Sequence, residues 1–228
     1  EEKFKDKEEF FLRRFDKESF HGIKSLIVRT LTDEKSKVKE EILLKALDDQ
    51  DAEVRRTALY NISGMTPAIE AQAVKCLNDS SYVNIETALE MLCLNDLARA
   101  QKYLDQTEGM IGNRSRNIQL TWLKISAIVN KDRTLADKIV DFSSPLFEFL
   151  TRTNAMKAMK NIGYLNEQGM DNLFEARFHF NSRLRRSAAS CLDYFYEMED
   201  YKGRLSSYFK SKNITEKQKE VLEKYTTD

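Results

Sequence analysis

Few residues in this chain are equipped for chemistry. Histidine occurs only at His21 and His179. A zinc peptidase needs two imidazoles and a general-base glutamate on one helical face, spaced HExxH, and that spacing is absent. His179 stands in Arg177-Phe-His-Phe180, just before a helix start and without a second catalytic partner nearby, which points to a structural ring. Asp48, Asp49 and Asp51 cluster between two helices but lack the ligand spacing of a calcium loop, so capping and helix-dipole roles are expected. Gly109-Met-Ile-Gly112 follows no strand and reads as helix-end chemistry, not a phosphate loop. Cys76, Cys93 and Cys191 are too widely spaced for a disulfide framework or a zinc knuckle, and are expected as buried small hydrophobes. No residue is assigned a catalytic, cofactor-binding or metal-ligating role.

Arginine offers the remaining candidate site. Arg55-Arg56 and Arg183/Arg185-Arg186 could hold a phosphate or a peptide carboxylate if they lined one concave face. The expected role is different: an arginine at this point reaches an acid or a helix end in the next repeat, forming a ladder. The two clusters sit in near-copies of one pattern, Asp51-Ala-Glu-Val-Arg-Arg-Thr-Ala-Leu59 and Asn181-Ser-Arg-Leu-Arg-Arg-Ser-Ala-Ala189. Each has a polar start, an aliphatic residue, two arginines, a small polar residue and alanine. A repeated local pattern implies a stacked helical array.

The elements that carry these residues are helices. Val38, Ile42 and Ala46 fall on one helical face, as do Val54, Ala58 and Ile62, and Ile85, Ala88, Leu89 and Leu92. The same holds for Ile118, Trp122, Ile125 and Val129, and for Leu184, Ala188, Cys191, Leu192 and Phe195. A lone helix cannot bury such a stripe, so the helices must pack on one another. Breakers lie between them, and Thr66 before Pro67 and Ser144 before Pro145 predict helix N-caps with proline at the first position. Ala58, Ala88, Trp122, Ala155 and Ala188 recur at steps of 30 to 34 residues, the length of two helices and two turns. The expected fold is therefore all-α: an α-α superhelix of about five antiparallel helix pairs, forming one domain over 1–228. A lead-in occupies 1–34, the repeats 35–212 and a C-terminal cap 213–228. Phe4, Phe10, Phe11, Phe15 and Phe20 crowd the lead-in, either to seal the first repeat or to dock on a preceding domain. Tyr194, Phe195, Tyr196, Tyr201, Tyr208 and Phe209 form a late belt divided between core and interface.

Composition narrows the function classes. Seven glycines and two prolines in 228 residues are too few for a turn-rich β-fold. Lys+Arg and Asp+Glu are both 37, so no bulk field recruits a polyanion, and neither nucleic acid nor membrane insertion is expected. The opening Glu1-Glu-Lys-Phe-Lys-Asp-Lys-Glu-Glu9 has no apolar stretch for a secretory leader, and a first residue other than Met predicts a piece excised from a longer protein.

The stretches 51–59 and 181–192 resemble HEAT repeats. A narrower likeness lies in Leu43-Leu-Lys-Ala-Leu-Asp-Asp-Gln-Asp51 and Asp79-Ser-Ser-Tyr-Val-Asn-Ile-Glu-Thr-Ala-Leu-Glu-Met-Leu92. Residues 36–95 resemble the C-terminal HEAT-like region of bacterial M1-family zinc aminopeptidases. The resemblance implies a non-catalytic domain that packs on the peptidase domain of its own parent chain and encloses or gates a peptide-substrate chamber. It implies zinc in the parent enzyme, none in this fragment, and a periplasmic or envelope-associated parent. The family's zinc ligands and N-terminus-reading motif lie upstream, in other domains, and match no position here. Two other readings compete: an independent HEAT-type scaffold for a protein partner, and a HEAT-like nucleic-acid enzyme. The last would need a basic concave face with an acid and aromatics, which neutral charge disfavours.

Overall fold

A computed structural model describes residues 2–33, 35–110 and 116–226, without the side chains of 2–6 and 110. The described residues form fourteen α-helices and no strand. In order these are α1 (Glu2–Lys17), α2 (His21–Leu31), α3 (Lys39–Leu47), α4 (Ala52–Tyr60), α5 (Pro67–Lys75), α6 (Tyr82–Asn95) and α7 (Ala100–Thr107). Then follow α8 (Arg116–Asn130), α9 (Arg133–Asp141), α10 (Phe149–Ile162), α11 (Glu167–Arg177), α12 (Ser182–Tyr196), α13 (Glu199–Ser211) and α14 (Glu216–Leu222). The all-α expectation holds. Contacts group the chain into two compact units, Glu1–Ile125 and Ser126–Asp228.

In the first unit, α2 packs on α4 and α4 on α6, while α3 packs on α5 and on its partner α4. In the second, α10 packs on α12, α9 on α11, and α11 on α12. In these rows a helix meets its counterpart one pair away. Hydrogen bonds mark the same interval. The Thr57 and Ser25 hydroxyls lie 3.1 Å apart across 32 residues, and Asn84 Nδ2 donates to Ala52 O across another 32. In the second unit Asn172 Nδ2 donates to Val140 O, and Tyr225 OH to Asp193, each again across 32 residues.

Alanine permits this spacing. Ala58, Ala88, Ala155 and Ala188 are all fully buried at the helix-helix contacts, and small residues let backbones approach closely. Trp122 occupies the corresponding place in α8 and is half-buried, its indole Nε1 donating to Leu104 O at 3.0 Å. A wide ring there needs a polar partner for its N–H, which the end of α7 supplies.

Helix starts follow side-chain chemistry. Asp51 and Asn181 cap α4 and α12, and Thr66 with Pro67 opens α5. Ser144 does not cap a helix. Pro145 lies in a turn, and α10 begins four residues later, behind Glu148. The reason is local: Ser143 Oγ donates to Val140 O, and Arg152 Nε to Ser143 O at 3.0 Å, so the 142–148 turn is held by bonds of its own.

The two ends of the chain are helical as well. The lead-in is a regular helix pair, with α2 packed on α4 as α4 is on α6. Its phenylalanines divide: Phe15 is buried, whereas Phe10 and Phe20 are more than half exposed. Phe4 falls among the side chains outside the description. Half of the late aromatic belt is core, with Phe195, Phe209 and Tyr201 buried and Phe195 meeting Tyr201 edge-on at 4.9 Å, while Tyr194 is exposed. The C-terminal cap is α14 and a 3₁₀ turn at Glu223–Tyr225, whose Tyr225 stacks on Phe209.

Candidate interaction surface

The twin arginine motifs do the same work twice. Arg55 Nη1 donates to Asp49 O (2.7 Å) and Gln50 O (2.9 Å). Arg185 Nη1 donates to His179 O (2.8 Å) and Phe180 O (2.7 Å), the same two places relative to itself. Each arginine follows its N-cap by four residues, one turn into the helix, so its side chain lies over the incoming loop. The loop carbonyls need donors, and the guanidinium satisfies two of them.

Beyond the loop the two motifs diverge. Arg55 continues into the next pair, with Nε on Asp79 Oδ2 (2.6 Å) and Nη2 on Asp79 Oδ1 (2.7 Å). Position 209, the same distance beyond Arg185, holds Phe209, so the second motif has no acid to meet. Of the two motifs, the first alone extends such a rung to a described acid. Burial pushes the Asp79 carboxyl up, but hydrogen bonds from Arg55, Ser81 N and Asn84 outweigh it and hold the carboxyl below its ordinary value. Arg56 pairs with Glu53 on its own helix, and Arg186 Nε donates back to Ser182 O. Arg55, Arg56, Arg185 and Arg186 are thus engaged within the fold.

The other polar candidates are structural as well. Asp51 accepts from Glu53 N (2.8 Å), and Asp49 accepts from Asp51 N (2.9 Å) and pairs with Lys24 (2.6 Å). These acids and Asp16, itself paired with Lys45, border an open groove in the first unit, so its charges are largely compensated. His179 Nδ1 accepts from Asn181 N (3.1 Å), and its ring lies against Phe180. His21 lies 3.8 Å from Asp51. All three cysteines are buried, and burial pushes Cys76 to about 11 and Cys93 and Cys191 to about 12. Among the described residues no group of three or more His, Cys, Asp or Glu side chains is placed to hold a metal. No described helix is long and apolar enough to cross a membrane. Gly112 lies outside the described residues; Gly109 belongs to a 3₁₀ turn after α7.

What remains available is surface. The row α2–α4–α6 buries Ser25, Val28, Thr57, Ala58, Ala88 and Leu89, and turns Leu26, Tyr60 and Val83 outward. Leu26 is 61% exposed and Tyr60 67%, more than a packed core position would allow. Arg29, Arg56 and Glu53 stand among them, all at least partly exposed. Apolar and aromatic side chains set among arginine and acid have the makeup of a protein-binding face. In the second unit Leu146 and Phe180 are 90% and 88% exposed, in the loops before α10 and α12.

Sequence reasoning missed the buried charges. Arg152 is 3% exposed, held by Ser143 O and Glu175. Lys124 is 6% exposed and pairs with Glu90 at 2.7 Å. Both stand where the helical stripe turns inward, but a single sequence offers no sign that their partners arrive from another helix. In comparisons with known proteins, no family model and no curated protein matches the chain.

Proposed function

We propose that this chain is a non-catalytic helical-repeat domain of HEAT-like type from the C-terminal part of an M1-family zinc aminopeptidase. In this reading it packs on the peptidase domain and encloses or gates the peptide-substrate chamber. The observation that carries the reading is the Arg55–Asp79 pair. Both residues belong to the stretch that resembles the M1 C-terminal region, and their bond joins two consecutive helix pairs as a tandem repeat requires. The engagement of the arginines and buried thiols within the fold favours a structural role over a chemical one.

A second reading, an independent scaffold for a protein partner, is favoured by the exposed Leu26 and Tyr60, which suit any partner. The coding sequence flanking residue 1 separates the two. An upstream HExxH with a downstream glutamate ligand supports the peptidase reading, and deletion of the helical domain should then alter peptide-length preference. A flanking sequence without HExxH overturns it, and the scaffold reading then predicts a stoichiometric co-purifying protein that Tyr60→Asp releases.

A further inference from the structure

A charge lies on the apolar stripe of α1. Glu8 precedes Leu12 by one turn and Phe15 by two, so the three share one helical face. All three are buried, and Glu8 is 4% exposed. Acids are almost never so buried unless they are paired. Glu8 has one hydrogen bond, Lys37 N donating to its Oε1 at 3.1 Å, and no ion pair with a described residue. A carboxylate has about four acceptor sites, so the turn before α3 uses one and leaves Oε2 without a described partner.

The Glu8 carboxylate lines a cavity of about 340 Å³ between α1, the end of α2 and the turn that follows α2. Phe11 and Leu31 supply its apolar walls. Thr30 lines it too, but its hydroxyl already donates to Leu26 O at 2.9 Å. Lys7, Asp33 and Lys35 border it as exposed residues, and Asp33 accepts from Lys35 N at 3.1 Å. Exposed charges are screened by water and salt, whereas a buried one acts at low dielectric, so Glu8 sets the charge of the interior.

Two arguments turn this acid into a site. A buried carboxylate without a counter-charge is costly, and a cation carrying N–H donors removes the cost. An acid on the stripe that packs the helix also breaks the pattern that folds it, and proteins keep such breaks at functional sites. Apolar walls around one placed polar group have the makeup of a small-molecule pocket, and this volume belongs at the small end of the range.

We propose that this cavity binds a small organic amine as its ammonium ion, the N–H groups donating to Glu8 Oε2 and the hydrocarbon lying against Phe11 and Leu31. A primary ammonium brings both the missing charge and three donors, and an aromatic wall attracts a cation. The inference is independent of the aminopeptidase reading, because the residues lining the cavity precede the 36–95 stretch that carries that resemblance.

The test is calorimetric titration of the whole 228-residue chain at neutral pH with 2-phenylethylamine and with the neutral 2-phenylethanol. The expected result is saturable one-to-one binding of the amine, with the alcohol silent. Glu8→Gln keeps an acceptor for Lys37 N and should melt no lower than the parent, yet weaken amine binding at least about tenfold, the scale of a hydrogen bond to a charged group. Phe11→Ala, at a partly exposed position, should weaken it severalfold and carries the test if Glu8→Gln does not fold. A Glu8 that only fastens α1 to the turn before α3 predicts silence from the amine. Silence from the amine, equal binding of the alcohol, or either folded variant binding the amine like the parent overturns the proposal.

Discussion

Arg55 grips Asp79 with two nitrogens and closes the 49–50 loop with the third, so one side chain joins two helix pairs and a turn. The carboxylate side chain is 2% exposed and the guanidinium 14%, so neither finds water if the other is removed. Asp79→Ala should cost about 2–4 kcal/mol by denaturant unfolding, because it leaves a largely buried guanidinium unpaired. Arg55→Lys should cost about 1–2 kcal/mol, since an ammonium cannot reproduce the fork or reach both carbonyls. A double-mutant cycle with near-zero coupling would show that the pair does not join the repeats.

The same bond sets an acid response. Asp79 has a folded pKa below its unfolded value, so the stability it contributes is present above about pH 3.9 and is lost as pH falls through the lower folded value. Asp171, held down by Lys212 and Tyr208, adds to the same window. Asp79→Asn should flatten the acid limb of the stability profile; an unchanged limb would place the titration elsewhere.

Tyrosines set the alkaline limb. Burial and then the Glu70 bond push Tyr103 to about 12; burial and the Asp171 bond do the same for Tyr208. With folded values above unfolded ones, their stabilisation is complete below about pH 10 and is lost as pH rises from there towards the folded values. Tyr103→Phe should lower stability at neutral pH yet shallow the alkaline decline, which unfolding curves collected across pH 8–12 would resolve.

Thiol chemistry reports on the core. Cys76, Cys93 and Cys191 are buried and their thiolates disfavoured, so a disulfide reagent should label them at the rate of unfolding and not of reagent collision. All three should react promptly in denaturant. Fast labelling of the native chain would contradict the packing of α6 and α12.

Ala88 tests the helix register. It is fully buried within α6, so Ala88→Glu forces a carboxylate into the stack and should cost more than about 4 kcal/mol or prevent folding. Thr87→Glu, one position away and partly exposed, is the control and should change stability little. Equal melting of the two variants would mean that the face is wrongly placed.

Local order was legible without coordinates. Apolar spacing marked the helices because a 3.6-residue period is a property of the chain itself, and Asp51, Thr66 and Asn181 announced helix starts because a cap bonds only two or three residues ahead. The buried alanines followed from the same period. Pro145 misled, since a proline favours a helix start and a turn equally, and the choice fell to Arg152 bonding Ser143 O from nine residues away. Sequence by itself thus determined the helical class, the caps at Asp51, Thr66 and Asn181 and the repeat interval. Tertiary structure alone decided that Arg55 meets Asp79 while Arg185 meets no described acid, and that Arg152 and Lys124 are buried. Those outcomes depend on which side chains arrive from other helices, and a helical period carries no information about its neighbours.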